Sequence, residues 1–435
     1  MIWDAALGLP ESSTDKVRTV IAASPRRGRP SNWEGRAAEV LDAAARTLNA
    51  EGLTNTSLDS VARSLRITKS ALYYYFGSKE DLVFKCYLRS CQLACEAVED
   101  ALRQPGTGRE RLAYYIRRLI SPSNPPIAFV GEIEFLEAGH RDELRVLVHR
   151  HHQALVDLLE SGAADGSLSV LNSNLLVYAL KGAMNWIPVW LKPGGTLSLE
   201  VIADAFVDLF FSGLSPLDRK ADHAHLVPVS FSSPPPASLF DREQQSSQRR
   251  ELLIRQSSEF FNRNGFDNCT LDDIARGLDV SRSALYHYVS SKEELLYASI
   301  VRSLKNTEVV VNTIVSEGGD GLTRIIRTIC SAAELHAGPA GPIANYTSLK
   351  SLSLDHAREV QVRSKNIQSH LASFFDLGVE DGSIRPVNVR IARLALLGSI
   401  NRLNKWWPQT VPADTSDVSD NLIHLFVDGL SPRRG

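Results

Sequence analysis

One segment of this 435-residue chain occurs twice. Residues 57–83, SLDSVARSLRITKSALYYYFGSKEDLV, and residues 270–296, TLDDIARGLDVSRSALYHYVSSKEELL, align without a gap and share 14 of 27 positions. Upstream, Val40, Leu41, Ala44 and Leu48 stand where Leu253, Ile254, Ser257 and Phe261 recur. Their i, i+1, i+4, i+8 spacing is the buried stripe of a helix. Both stripes end at a glycine, Glu51-Gly52-Leu53 and Asn264-Gly265-Phe266. Downstream, Asp165-Gly166-Ser167 matches Asp381-Gly382-Ser383, Gly182…Asn185…Trp190 matches Gly398…Asn401…Trp406, and Gly213-Leu214-Ser215-Pro216 matches Gly429-Leu430-Ser431-Pro432. A period of about 215 residues is a domain duplication, far too long for a solenoid. Whatever one half folds into must be built twice.

Between the copies the stretch SPLDRKADHAHLVPVSFSSPPPASLFDREQQSSQ is rich in Pro and Ser and lacks periodicity, which marks a linker. Most other segments read as amphipathic helices, and no window sustains strand alternation, so the expected fold class is all-α. The expected organisation is a basic arm at 1–31, a first repeat in two parts, 32–83 and 84–215, a linker at 216–243, and a second repeat in two parts, 244–296 and 297–435.

The net charge of −2 argues against a uniformly basic nucleic-acid coat and leaves local basic patches open. The five cysteines (Cys86, Cys91, Cys95, Cys269, Cys330) form no CxxC pair, which suggests neither a disulfide framework nor a zinc site. Asp4 and Glu11 interrupt what would be a signal-peptide core, and no uncharged apolar run reaches a membrane span's length. The expectation is a soluble intracellular protein with no membrane partner. No nucleophile elbow, P-loop, GxGxxG after a strand or HExxH occurs, so the chain is read as no enzyme, with no catalytic residue, cofactor or metal.

Each copy of the block reads as short helix, tight turn, short helix: Ser57 to about Leu65, a turn at Arg66-Ile67, then about Thr68 to Phe76. The second copy starts at Thr270 with Asp273 in a capping-box pattern, and its second helix runs from about Ser281 to Val289. On the second helix Ala71, Leu72, Tyr75 and Phe76 share an inward face. The opposite side presents Lys69, Ser70, Tyr73 and Tyr74, or Arg282, Ser283, Tyr286 and His287. A cation, a hydroxyl and two rings together suit a DNA major groove: cations to guanine, rings to thymine methyls, hydroxyls to phosphate. Ser78-Lys79-Glu80-Asp81 and Ser291-Lys292-Glu293-Glu294 are capped helix starts with one lysine each, suited to a phosphate.

These residues resemble the TetR family of bacterial transcriptional regulators, through (T/S)-L-D-x-(V/I)-A…(T/S)-(K/R)-S-A-L-Y-(Y/H)-Y-x-x-S-K-E-(D/E)-L. The second copy departs from the pattern at Val289, where phenylalanine is usual. The resemblance implies a three-helix DNA-binding domain, at 32–83 and 244–296, followed by a helical ligand-binding domain, at 84–215 and 297–435, whose last two helices dimerise. It also implies a protein of the bacterial cytoplasm, at the nucleoid. DNA-contacting positions carried over by the motif are Thr56, Thr68, Lys69, Ser70, Tyr73, Tyr74, Tyr75 and Lys79. In the second copy they are Ser281, Arg282, Ser283, Tyr286, His287, Tyr288 and Lys292, with Cys269 replacing a hydroxyl where Thr56 stands.

Family members pair as dimers on palindromic operators. This chain is expected to carry both halves and to form an intramolecular pseudo-dimer on a double-stranded DNA operator, with higher self-association left open. Helices near 174–191 and 199–213 would pack on those near 389–407 and 417–429. The linker's random-coil span of about 30 Å allows this, and linkage raises the partner's effective concentration into the millimolar range. Because the reading faces differ, the two half-sites need not be identical. Arg27 and Arg29, in the run RRGRP, suit either a minor-groove arm or a solvated tail.

The run GAMNWIPVWLKPGG at 182–195 resembles a segment of family members that respond to acyl-CoA, fatty or steroid-derived ligands. Candidate residues for a small-molecule effector are Asn185, Trp186, Trp190, Asn401 and Trp406, although core or interface anchoring is the favoured reading of these tryptophans. His140, His149, His151 and His152 lack companion ligands at metal spacing and read as a basic, solvated helix face. The expected activity is a ligand-released repressor. The alternative is a helical ligand-binding or interaction module whose DNA-binding units are vestigial.

Overall fold

A computed structural model describes residues 33–131, 133–192, 195–216, 227–231, 242–266, 269–338, 341–344, 351–407 and 413–432. Arg27, Arg29 and most of the linker lie outside these residues. The chain divides into two compact units, 1–40 and 41–435. In the first, described from residue 33, the backbone is helical and Arg36 pairs with Glu39 at 2.9 Å. The second holds everything discussed below.

The described residues are helical, with no strand among them. The first copy runs α1 (Trp33–Asn55), α2 (Leu58–Ser64), α3 (Lys69–Tyr75), α4 (Lys79–Arg103), α5 (Gly108–Leu119), α6 (Ala138–Ala164), α7 (Ser173–Asn185), α8 (Ile187–Trp190) and α9 (Leu199–Ser212). The second repeats them as α10 (Arg242–Asn264), α11 (Leu271–Gly277), α12 (Arg282–Tyr288), α13 (Lys292–Glu317), α14 (Gly321–Ala337), α15 (Leu354–Glu380), α16 (Val389–Asn401), α17 (Leu403–Trp406) and α18 (Thr415–Ile423). A π-helical turn, His424–Asp428, extends α18.

Local chemistry sets the short helices. Ser57 caps α2 and forms a reciprocal box with Ser60, and Thr270 does the same for α11 with Asp273. Thr68 and Ser281 cap α3 and α12, and Ser78 and Ser291 cap α4 and α13. Arg66 and Asp279 both take positive φ, 55° and 52°, which turns the chain between the paired short helices. Leu72 and Phe76, like Leu285 and Val289, are buried and hold the second helix against the first.

The repeated Asp-Gly-Ser is a helix cap reached from a distance. Asp165 accepts the Gly108 N–H at 2.7 Å and Ser167 accepts that of Arg109 at 3.0 Å, which satisfies the start of α5. Asp381 and Ser383 repeat this on Gly321 and Leu322. Bonding to Ser167 and to Gly108 holds the Asp165 carboxyl below the usual carboxylate range.

The copies meet along α7 and α16. A Cβ on Gly182 would lie 2.8 Å from Ser399 Cα, and the Ser399 hydroxyl donates to Ala179 O at 2.7 Å. The segments after α9 and α18 exchange backbone bonds reciprocally. Leu214 N–H donates to Phe426 O and Leu430 N–H to Phe210 O; Ser215 N–H donates to Val427 O and Ser431 N–H to Phe211 O, all at 2.8–3.0 Å. Ser169 N–H donates to Leu430 O, and its counterpart Arg385 donates to Leu214 O. Phe210 and Phe426 are fully buried and meet edge-on, their ring centres 6.0 Å apart. Within the linker, residues 227–231 are described, and Val229 is buried with its N–H on Ser331 Oγ.

Candidate functional site

The outer face of α3 carries Lys69, Ser70, Tyr73 and Tyr74, all exposed, with Tyr73 at 48% and Tyr74 at 54%. On α12 the same places hold Arg282, Ser283, Tyr286 (42%) and His287, also exposed. Exposure of this much aromatic surface beside a cation recurs at matched positions. Tyr75 and Tyr288 are half-buried and meet Tyr74 and His287 edge-on. The hydroxyls of Thr68 and Ser281 accept the N–H of Ala71 and Ala284 as caps, and both stay exposed.

Both leading cations are held by a carboxylate from the preceding helix. Lys69 Nζ is 2.8 Å from Asp59 Oδ2, and Arg282 Nε is 3.0 Å from Asp272 Oδ1. Each pair is solvent-exposed and contributes little stability. Either cation can exchange its partner for a base edge or a phosphate at small cost.

Other candidates are turned inward. Thr56 is buried and its hydroxyl donates to Gly52 O at 2.7 Å, and Cys269 is buried with its thiol on Gly265 O. Both close the turn after the first helix of their copy. Lys292 donates to Phe266 O and Cys269 O, each at 2.9 Å, whereas Lys79 lies over the Phe135 ring at 5.6 Å.

Two joints that sequence reasoning missed tie the paired short helices of each copy to the larger helical part that follows them. Glu80, at the start of α4, accepts the Glu137 N–H at 3.0 Å and contacts His140 Nδ1 at 2.9 Å; His140 stacks on Phe84. Glu293, Ser353, His356 and Tyr297 repeat the joint. Asn49 bonds Ile127 O and the Phe129 N–H, both at 2.8 Å, and Asn262 bonds Ile343 O at 2.8 Å. The available signal was the recurrence of Glu80 and Asn49 in both copies.

The loop held by Asn49 is one wall of a cavity of about 1070 Å³ in the larger helical part of the first copy. Asn185 lines it, while Trp186 sets its ring edge-on to Phe129. Trp190 has a buried indole N–H without a partner, Asn401 is half-buried, and the Trp406 side chain lies outside the described residues. The histidine expectation needs correction. His151 and His152 are buried, His151 against the Tyr115 hydroxyl (2.9 Å) and His152 against Asn174 Oδ1 (3.0 Å). Burial holds both neutral, with His152 pulled down to about 4. The reason is that α6 packs against α4, α5 and α7 at once, so little of it is left to face water.

Comparison with known proteins matches these parts twice. Residues 40–86 and 253–298 match the bacterial regulatory proteins of the tetR family, and residues 105–214 and 318–430 match the tetracyclin repressor-like C-terminal domain. The HTH-type transcriptional repressor KstR2 of Rhodococcus jostii is 27% identical over 192 residues, 42% of this chain and 94% of the relative. KstR2 of Mycolicibacterium smegmatis is 24% identical over 200 residues, 43% and 94% respectively. Among solved structures, the TetR family regulator PfmR of Thermus thermophilus is 29% identical, with a TM-score of 0.34 over 39% of this chain and 95% of that one.

Proposed function

We propose, from a chain that belongs to the tetR family of bacterial regulatory proteins, that it is a ligand-released repressor built as an intramolecular pseudo-dimer. One chain presents two recognition helices, α3 and α12, to two similar but non-identical half-sites of a double-stranded operator. In this reading a first DNA-binding domain at 32–83 and its ligand-binding half at 84–215 are joined by a linker at 216–243 to a second pair at 244–296 and 297–435. Lys69 and Arg282 read bases, Tyr73, Tyr74, Tyr286 and His287 add apolar and ring contacts, and the serine and threonine hydroxyls take phosphates. Protein two-fold symmetry would match the symmetry of the operator.

The observation that carries this reading is the reciprocal bonding after α9 and α18, in which each copy gives the other the same backbone bonds. Such self-complementarity is what a two-fold interface requires. Release requires a coupling between cavity and helix spacing. Asn49 and Glu80 supply a physical route, since one joins the cavity wall to α1 and the other joins α4 to the start of α6. The effector is a hydrophobic small molecule, acyl-CoA-like in character, in keeping with the cavity's size and its largely apolar lining.

The test is light scattering on the purified chain, followed by binding of the same sample to selected DNA across a salt series. The expected result is a single-chain particle that binds an imperfect palindrome and releases it on adding ligand. An obligate particle of two chains would overturn the pseudo-dimer. Sequence-indifferent binding would favour the vestigial-module reading.

A further inference from the structure

Two half-buried cations that line the first-copy cavity make no ion pair among the described residues. They are Lys181, on α7, and Arg402, between α16 and α17 of the other copy. Lys181 makes no hydrogen bond or ion pair among the described residues, and its exposed surface faces the cavity. Burial pulls its pKa down to about 8, which leaves the ammonium charged at neutral pH. Arg402 lies over the Phe129 ring at 5.1 Å and reaches only the Val130 carbonyl, at 3.4 Å. The one carboxylate among the described lining residues, Glu134, makes no close ion pair with either cation, although its charge favours the charged form of Arg402. Cys91, beside Lys181, is neutral because burial pushes its thiol up to about 12.

The duplication turns this into an asymmetry. At the offset of 216, Lys181 corresponds to Leu397 and Arg402 corresponds to Trp186. Both substitutions act on one side. The first cavity receives its own lysine and the other copy's arginine, whereas the matching sequence positions hold the uncharged Leu397 and Trp186, the latter with its ring on Phe129 of the first copy. Two half-buried cations without an ion pair cost stability unless something neutralises them. Retaining them on one side only is the arrangement of a site for an anion.

We propose that each chain holds one anion-selective ligand site, in the first copy's cavity. There Lys181 and the other copy's Arg402 together take the carboxylate or phosphate head of an otherwise apolar ligand. The matching place in the second copy takes none. The apolar part of the ligand lies against the remaining wall, which includes Leu119, Ile120, Leu147 and Ile187. This rests on the cavity being the effector site and adds the ligand's charge, its stoichiometry and the copy that supplies each contact. It also makes binding sensitive to the α7–α16 contact, since one half of the clamp comes from across it.

The test is calorimetric titration of the full, DNA-free chain with dodecanoate, dodecyl phosphate and the neutral dodecanol, for the natural protein, Lys181→Met and Arg402→Met. Thermal unfolding checks that each variant folds. The expected result is one anion bound per chain, with at least one anionic probe preferred over dodecanol by about tenfold or more. Each variant should lose that preference by a similar factor and keep its dodecanol affinity, since a charged hydrogen bond contributes about 1.5–3 kcal/mol. Two anions per chain, equal affinity for dodecanol, or an unaffected Arg402→Met would each overturn the proposal. Operator binding by the ligand-free protein, measured by anisotropy, is independent of all three. Its failure would sink the repressor reading and leave the anion count standing.

Discussion

Gly213 and Gly429 lie so close across the two copies that a Cβ on Gly429 would stand 2.5 Å from the Gly213 nitrogen. Both take positive φ, 62° and 79°, where side chains are strained. They close the reciprocal bonds after α9 and α18. Gly213→Ala would also bring a Cβ within 2.3 Å of Val427 O. The expected cost is about 2–4 kcal/mol, combining strain with overpacking. Gly166→Ala, at φ 72° with open space around it, should cost about 1 kcal/mol. Thermal unfolding of the two variants separates close approach from strain alone; equal losses would sink the claim.

Substituting the leading cations one at a time should affect different halves of the operator. Lys69→Ala and Arg282→Ala should each relax base preference in one half-site, at about 1–3 kcal/mol against the correct base. Binding to a library randomised in each half-site reads this directly. Loss in the same half-site for both variants would contradict the assignment of one reading head per copy.

Asp59 and Asp272 hold those cations in the DNA-free protein. Asp59→Asn should leave the unfolding midpoint nearly unchanged, because exposed pairs contribute about 0–1 kcal/mol. It should tighten DNA binding several-fold by removing a negative charge and freeing Lys69. Weaker binding would show instead that Asp59 orients Lys69 productively.

Buried neutral histidines make the protein acid-labile. Burial pulls His152 and His336 down to about 4 and holds His151 well below its usual value. The unfolded chain takes up these protons from about pH 6.5 downward, while the folded state resists. Stability is therefore fully present above pH 6.5 and falls as pH drops from 6.5 towards 4. Urea unfolding at pH 7 and pH 5 should show the drop, and His336→Leu should reduce it.

Lys181→Met should stabilise the ligand-free protein. The lysine's pKa of about 8 lies below its usual 10.5, so the folded state binds fewer protons between these values. The natural protein therefore gains stability as pH rises from about 8 to 10.5. The groups facing this lysine are Cys91 and Cys95 on α4, His151 on α6, and Arg402, and at pH 8 only Arg402 among them is charged. The variant's advantage should be up to about 3 kcal/mol at pH 7 and fade towards pH 10.5. An equal advantage at both pH values would contradict a buried charge as the cause.

Much of the fold was legible because its signals are local. Ser57, Thr68, Ser78 and their counterparts are caps, and the helices they start fall within a residue or so of the expected Ser57–Leu65 and Thr68–Phe76. Leu72 and Phe76 declared the inward side of α3 by spacing alone. The histidines of α6 were misread because 3.6-residue periodicity assumes one wet face, and α6 packs on several helices. Lys181 was overlooked although it is the lone charge in α7, which is a usable signal.

The sequence alone therefore determined the duplication, the all-helical elements and the outward face of each reading head, since caps and apolar stripes act over a few residues. Only the tertiary structure decided which charges meet. Lys181 and Arg402 are 221 residues apart and reach one cavity through the close packing of α7 on α16. No local pattern encodes that contact, because it depends on where a second helix, folded from another copy, comes to rest.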